Sequence, residues 1–110
     1  MSRFLPTLPL FLVLAAGCAS LPRPEPEDVV RGRTRFSELD LQRLSTGRNA
    51  YVQRCGGCHA LHLPKRLSAD AWPAMLTKMQ EEIELSPAER SVIEQFLVTM
   101  ALRPESSASP

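Results

Sequence analysis

Cys55-Gly56-Gly57-Cys58-His59 lies at the centre of this 110-residue chain and has the C-x-x-C-H spacing at which a c-type haem is attached. Two thiols three positions apart can form thioethers with two vinyl groups on one edge of a porphyrin. The residue that follows, His59, then places its imidazole beneath the ring, where it binds iron as the proximal axial ligand. The motif therefore predicts one covalent haem c, held through Cys55 and Cys58.

Three other interpretations of the two cysteines are weaker. A thioredoxin-like C-x-x-C motif needs a βαβ context, and no alternating strand pattern of useful length is present. A zinc site needs further ligands, but His62 is the only other histidine and Cys18 the only other cysteine in the sequence. A disulfide between Cys55 and Cys58 would close a very small loop and stabilise the protein little.

Helical periodicity on both sides of the motif predicts an all-α fold. The first helix is predicted over about residues 40–55, with Asp40 or Ser37 as its N-cap. The second is predicted over about residues 71–82, with Asp70 as its N-cap. Both segments place apolar residues at helical spacing, so each has one face for a core.

A third helix begins at a capping box formed by Ser86 and Glu89, with Pro87 at the first helical position. Its apolar residues fall on one face: Val92, Ile93, Phe96, Leu97 and Met100. The three helices predict a small cytochrome c-like domain that wraps around one covalent haem over residues 37–104. A disordered polar tail is predicted at residues 105–110.

The region around the motif resembles the class I cytochrome c family, in particular its small bacterial monohaem domains, over about residues 38–103. In that family a glycine, an aromatic residue and the first haem cysteine recur at intervals of four on the first helix. Here these are Gly47, Tyr51 and Cys55. The resemblance implies that Gly47 lets the first and last helices cross closely, with Phe96 as its partner. Such a contact would account for a glycine inside a helix, where it costs about 1 kcal/mol relative to alanine.

The family resemblance also assigns residues that follow the motif. Leu61 and Pro64 look like a leucine and a proline that follow it in the family. By resemblance, the carbonyl group of Pro64 accepts a hydrogen bond from the imidazole of His59, which would orient a metal ligand. A simple turn at Pro64 is the alternative.

The second axial ligand has two main candidates, Met75 and Met79, which share one face of the second helix one turn apart. The spacing of Trp72 and Met79 is similar to a W-x6-M pattern in related cytochrome domains, in which the methionine binds iron. The resemblance therefore implies Met79 as the distal axial ligand, with Met75 as the alternative. It also implies that Trp72 packs on the haem, for which a plain core position is the alternative.

The N-terminal segment has the pattern of a bacterial lipoprotein signal peptide over residues 1–17. Arg3 precedes a run of mainly apolar or small residues that is too short to span a bilayer. The run ends in the sequence LAAGC at residues 14–18, which resembles a lipobox, so cleavage would leave Cys18 as a lipidated N-terminus. An ordinary signal peptide with an incidental cysteine is the alternative.

The chain between this signal and the domain is predicted to be an extended tether. Alternating prolines and several charges over residues 18–36 favour a solvated chain with no core of its own. Ala19, rather than an aspartate, follows Cys18, and by resemblance to other lipoproteins this favours the outer membrane.

Composition and ligation together predict the class of function. Thirteen Lys and Arg side chains against twelve Asp and Glu exclude a strongly basic nucleic-acid binder. Two axial ligands on the iron leave no position for a substrate, so the sequence predicts an electron carrier rather than an enzyme. The expected setting is the periplasmic face of a bacterial membrane, with redox partner proteins, as a monomer or a subunit of a complex. A haem-based gas or redox sensor, or the haem subunit of a larger oxidoreductase, is the alternative.

Overall fold

The computed structural model describes Pro9, residues 20–56 and residues 61–105. Its α-helices are α1 (Pro26–Gly32), α2 (Leu41–Arg54), α3 (Trp72–Met79) and α4 (Pro87–Ala101). Two short 3₁₀ turns, Pro64–Arg66 and Ala69–Ala71, lie between α2 and α3. Every regular element of the described part is helical, which confirms the predicted all-α fold.

Helix α4 is the centre of the domain and contacts each of the other three helices. Its apolar face supplies much of the main core, to which α2 and α3 add their own buried side chains. The largest fully buried members of that core are Tyr51, Trp72, Leu76, Ile93, Phe96, Leu97 and Met100. The apolar stripe predicted for the third helix therefore lies in or next to the core.

Helices α2 and α4 approach each other closely at Gly47 of α2. A Cβ atom at this position would lie 2.0 Å from the carbonyl oxygen of Val92 and 2.9 Å from the Cβ of Phe96. Real Cβ atoms do not approach other atoms so closely, so only glycine fits here. The predicted close crossing of the first and last helices of the haem domain is confirmed, with the Val92 carbonyl as an additional contact.

The ends of the helices follow the predicted caps only in part. The side chain of Asp40 accepts a hydrogen bond from the backbone N–H of Arg43 at 2.7 Å, and Ser86 caps α4 as expected. Asp70, in contrast, does not cap α3 but accepts a hydrogen bond from the side chain of Arg35 at 2.6 Å. Helix α3 also ends at Met79, three residues before its predicted end. Glu81 and Glu82 follow this end. Their negative charges would be repelled by the negative C-terminal end of the helix dipole, which disfavours extension of the helix.

The predicted tether, residues 18–36, is wrong over its described part. Residues 26–32 form α1, which packs against α4. Asp28 on this helix is fully buried and accepts hydrogen bonds from Nε and Nη2 of Arg103 at 2.8 and 2.7 Å. The prediction failed because the proline alternation stops at Pro26, the first residue of α1, and because the ion pair joins distant parts of the sequence.

Several predictions made for the chain ends lie outside the described residues. These are the signal peptide at 1–17, apart from Pro9, the lipidation of Cys18, and the tail beyond Glu105. Within the described ranges, no helix combines the length and the apolar character needed to cross a bilayer.

Candidate haem-binding site

A cavity of about 340 Å³ lies where the C-terminal ends of α2 and α3 meet the segment around His62. This volume is within the range of small-molecule and cofactor sites. Its lining residues in the described part of the chain are Tyr51, Arg54, Cys55, Gly56, His62, Met79, Glu82 and Ile83. The fold therefore brings Cys55 and Met79, two of the predicted haem-binding residues, to one cavity from different helices.

The first half of the attachment motif lies at the end of α2. The backbone N–H of Cys55 donates to the carbonyl oxygen of Tyr51 at 3.0 Å, and the Cys55 side chain is half-buried. Burial raises the pKa of the thiol, an effect that the nearby Arg54 guanidinium partly opposes. Gly56 has a φ of 96°, a backbone conformation that side chains disfavour, so a glycine is needed directly after the first cysteine.

The second half of the motif lies outside the described residues. This applies to Cys58 and to His59, whose assignments as second thioether and proximal ligand stay predictions. In the sequence they lie two and three positions after Gly56, which lines the cavity. In the sequence, the residues that the motif assigns to the haem therefore come shortly after a residue that lines the cavity.

The two candidate methionines differ in their position relative to the cavity. Met79 is the last residue of α3, is half-buried and lines the cavity. Met75 lies one turn earlier, is also half-buried and packs against the core, but does not belong to the described lining. The thioether of Met79 is therefore the one placed beside Cys55, while its binding to iron stays a prediction.

Trp72 occupies a core position in the first turn of α3. Its side chain is fully buried, and its indole N–H donates to the carbonyl oxygen of Pro64 at 2.8 Å. Trp72 does not belong to the described lining of the cavity, so its packing on the haem stays a prediction. A carbonyl oxygen has two lone pairs, so the Pro64 carbonyl also retains the capacity to accept from His59.

Tyr51 holds the chain that follows the motif, a role that sequence reasoning missed. Its hydroxyl donates to the carbonyl oxygen of His62 at 2.7 Å, and its ring lies 6.3 Å from the ring of Phe96. Burial raises the pKa of Tyr51 to about 12, with a further contribution from Cys55, so the phenol stays neutral and can donate. In the sequence this tyrosine stands out only by its spacing from Gly47 and Cys55. Its hydrogen bond could not be predicted, because the acceptor is a backbone atom that no sequence motif marks.

The cavity fits a covalently held tetrapyrrole by the chemistry of its donor set. It offers a thiol from Cys55, a thioether from Met79 and apolar walls from Tyr51 and Ile83. Arg54 at its edge carries a guanidinium that is already paired with the carboxylate of Glu89 at 3.1 Å. Across residues 20–56 and 61–105, no cluster of three or more His, Cys, Asp or Glu side chains forms another metal site.

Comparison with known proteins gives one match. The family model described as "Dihaem cytochrome c" matches residues 51–110, more than half of the chain. The matched stretch starts at Tyr51 and includes the C-x-x-C-H motif and Met79. No curated protein and no solved structure matches the chain.

Proposed function

Because the chain belongs to the dihaem cytochrome c family, we propose that it is a membrane-tethered cytochrome that carries single electrons between redox partners in the bacterial periplasm. Membership of this family implies a covalent haem c with iron, and it favours electron transfer over catalysis. The observation that carries the proposal is the cavity at which Cys55 of the attachment motif and Met79 meet. The membrane tether and the periplasmic setting rest on the LAAGC sequence that ends at Cys18.

The family match confirms the prediction of a c-type cytochrome but names two haems, whereas we propose one haem for this chain. The sequence contains a single C-x-x-C-H motif and three cysteines in all: Cys18, Cys55 and Cys58. A second haem attached in this way would need a second C-x-x-C-H motif with two cysteines of its own, whereas Cys18 is the only cysteine outside the motif. The resemblance to monohaem class I domains and the dihaem family description therefore differ in the number of haems per chain, which can be measured.

Haem content tests the proposal directly. We expect the exported protein to gain the mass of one haem and to contain one iron atom per chain, measured by intact mass spectrometry and elemental analysis. The Cys55→Ala/Cys58→Ala double variant should gain no covalent haem. Two haems per chain would contradict the monohaem proposal, and none would contradict the electron-carrier function.

The proposed axial ligands explain why electron transfer suits this site. A haem held here supplies a one-electron redox centre. His59 and Met79 would occupy both axial positions of its iron, which leaves no position for a substrate. The thioether of Met79 is a soft ligand that favours ferrous iron and raises the reduction potential. Met79 is half-buried and lines the cavity, so its thioether is accessible to a group held there.

Substitution of Met79 is expected to change the spectrum and the potential of the protein. In Met79→Ala the long-wavelength absorption band of methionine–iron ligation should disappear, and the ferrous protein should bind carbon monoxide rapidly. The reduction potential should fall, because the axial ligand tunes haem potentials within a range of about 0.8 V.

Met75→Ala is the matched control for this substitution, because it removes the same side chain one turn earlier on α3. It should keep the absorption band and bind carbon monoxide slowly. If the band vanished in Met75→Ala and persisted in Met79→Ala, the proposed assignment of the ligand would be wrong. Rapid carbon monoxide binding by the unaltered protein would instead favour a sensor or an enzyme.

An acidic turn beside the cavity supports a redox partner with a basic docking face. Glu81, Glu82 and Glu84 follow α3 and are exposed, and Glu82 lines the cavity. Charge complementarity of this kind acts mainly on the rate of encounter between partners. The same turn would serve a free carrier or a haem subunit docked in a larger oxidoreductase.

A further inference from the structure

The chain that follows the predicted lipidation site is bound to the domain rather than free. Leu21 is buried in the main core, and the guanidinium of Arg48 on α2 holds the backbone of Leu21 and of the residue after it. Arg48 Nη2 donates to the carbonyl oxygen of Leu21 at 3.0 Å, and Arg48 Nε donates to that of Pro22 at 3.1 Å. The path of the chain is thus fixed from Leu21 onward.

A second guanidinium fixes the next residues from the other side. Arg103, just beyond α4, donates from Nη2 to the carbonyl oxygen of Arg23 at 2.8 Å and also pairs with the buried Asp28. The N-terminal segment is therefore attached to α2 through Arg48 and to the end of α4 through Arg103. It cannot act as a flexible spacer between an anchor and the domain.

Ser20 lies at the edge of a second cavity, of about 220 Å³, on the surface between this segment and the Pro64–Arg66 turn. We call this surface the Leu63 face and define it by the cavity residues Ser20, Pro22, Leu63, Pro64, Lys65 and Arg103. Leu63 is 38% exposed, one of few large apolar side chains of the described residues that reach solvent. The face combines apolar side chains with two basic ones, Lys65 and Arg103, that are already paired with carboxylates.

The predicted lipidation site is close to this face in the sequence. Cys18 precedes Ser20 by two residues, and two residues of extended chain span at most about 7 Å. We propose that the Leu63 face lies directly against the phospholipid bilayer in which the acyl chains of Cys18 are inserted. This inference rests on the proposed lipid anchor and replaces a long tether with a short one.

The charges around the face suit a surface of phospholipid headgroups. Arg23 and Arg66 directly follow Pro22 and Lys65 of this face in the sequence, are exposed and form no side-chain ion pair with the described residues. Lys65 is already paired with Glu105 at 3.4 Å and donates to the carbonyl groups at the end of α4. The two arginines are therefore the cations available to phosphate groups, which attract basic side chains close to a membrane.

The orientation has a consequence for the redox site. Leu63 belongs to the Leu63 face, and its neighbour His62 lines the haem cavity. A bilayer against Leu63 would therefore hold the haem cavity close to the membrane surface. The redox partner is then one that reaches this surface, such as a membrane-bound protein with a basic face.

Hydrogen–deuterium exchange of the full lipidated holoprotein tests this orientation. The protein is placed in nanodiscs of phosphatidylethanolamine and phosphatidylglycerol and compared with holoprotein whose chain starts at Ser20, mixed with the same nanodiscs. Peptides that cover residues 62–66 should exchange roughly tenfold more slowly in the lipidated form, because contact with the bilayer suppresses local opening. Peptides from residues 42–46 of α2 should exchange equally in both forms, and equal exchange at residues 62–66 would overturn the inference.

A spacer variant isolates the role of the short link. Twelve Gly and Ser residues inserted between Ala19 and Ser20 add a flexible span of about 20 Å. We expect this lipidated variant to lose the slow exchange at residues 62–66; unchanged protection would overturn the role of the short link. The intact mass of each sample distinguishes failure of the proposed lipid anchor from failure of the proposed orientation. A protein without acyl chains contradicts the lipid anchor, whereas a lipidated protein with unprotected residues 62–66 contradicts the orientation alone.

Discussion

Replacing Gly47 with alanine is expected to lower the free energy of unfolding by about 3 kcal/mol, the upper part of the usual range for overpacking. The added methyl group would lie 2.0 Å from the carbonyl oxygen of Val92 and 2.8 Å from its carbonyl carbon. These are backbone atoms inside α4, so they cannot move aside as a flexible side chain does. Helices α2 and α4 would have to separate, which would loosen the core that both helices share.

Helix propensity alone predicts a change of the opposite sign, because on an isolated helix the same substitution would stabilise by about 1 kcal/mol. Denaturant unfolding of the holoprotein, followed by far-ultraviolet circular dichroism, measures the difference. Ser45→Ala, on the exposed surface of α2, is the control and should change stability by less than about 0.5 kcal/mol. A Gly47→Ala protein as stable as the original would show that the two helices separate freely.

Replacing Asp28 with asparagine is expected to lower the free energy of unfolding by about 3 kcal/mol at neutral pH, as when one partner of a buried ion pair is removed. The Asp28 carboxylate is fully buried and accepts two hydrogen bonds from Arg103. It also accepts from the side chain of Arg31 at 2.5 Å and from the backbone N–H of Glu25 at 2.7 Å. An amide leaves two guanidinium groups without their counter-charge.

Acid should reproduce this loss in the unaltered protein. Burial alone would raise the pKa of Asp28, but the hydrogen bonds from Arg103, Glu25 and Arg31 outweigh it and hold the pKa below its usual value of 3.8. The unfolded chain therefore takes up the proton first as the pH falls. The stabilisation is complete above about pH 4 and is lost as the pH falls through the lower folded-state pKa.

Unfolding free energies measured between pH 2 and pH 7 check both parts of this prediction. The loss of stability in acid should be smaller in Asp28→Asn than in the unaltered protein. Glu27→Gln is the matched control, because Glu27 is a neighbouring exposed carboxylate on α1 and should change stability little. Equal acid sensitivity of Asp28→Asn and the unaltered protein would argue against the ion pair as its source.

Local sequence predicted those parts of the fold that depend on neighbouring residues. The capping box at Ser86 and the N-cap at Asp40 involve atoms three residues apart, and both are present. Gly47 was assigned to a helix crossing by its spacing from Tyr51 and Cys55 in the family resemblance, and the contact with α4 is found. Each of these signals is a short sequence pattern that can be identified from residues a few positions apart.

Helix α1 was missed although it starts with local signals, a proline at its first position and acidic residues in its first turn. The contact that buries it comes from elsewhere in the chain. Asp28 and Arg103 are 75 residues apart in sequence, and neither residue alone indicates a buried ion pair. The bond from Tyr51 to the His62 carbonyl was also missed, since any residue at position 62 would supply that oxygen. At the candidate site, sequence identified the chemical groups, while the structure supplied the cavity that brings Cys55 and Met79 together.

The bond between the Trp72 indole and the Pro64 carbonyl joins the segment that leaves the haem motif to the helix that ends in Met79. Both parts of the haem environment are thereby fastened to one buried side chain. If a haem held here changed its iron charge by one unit, atoms held in this way would shift little. Little free energy would then go into rearranging the protein, which would favour rapid electron transfer during a brief encounter with a partner.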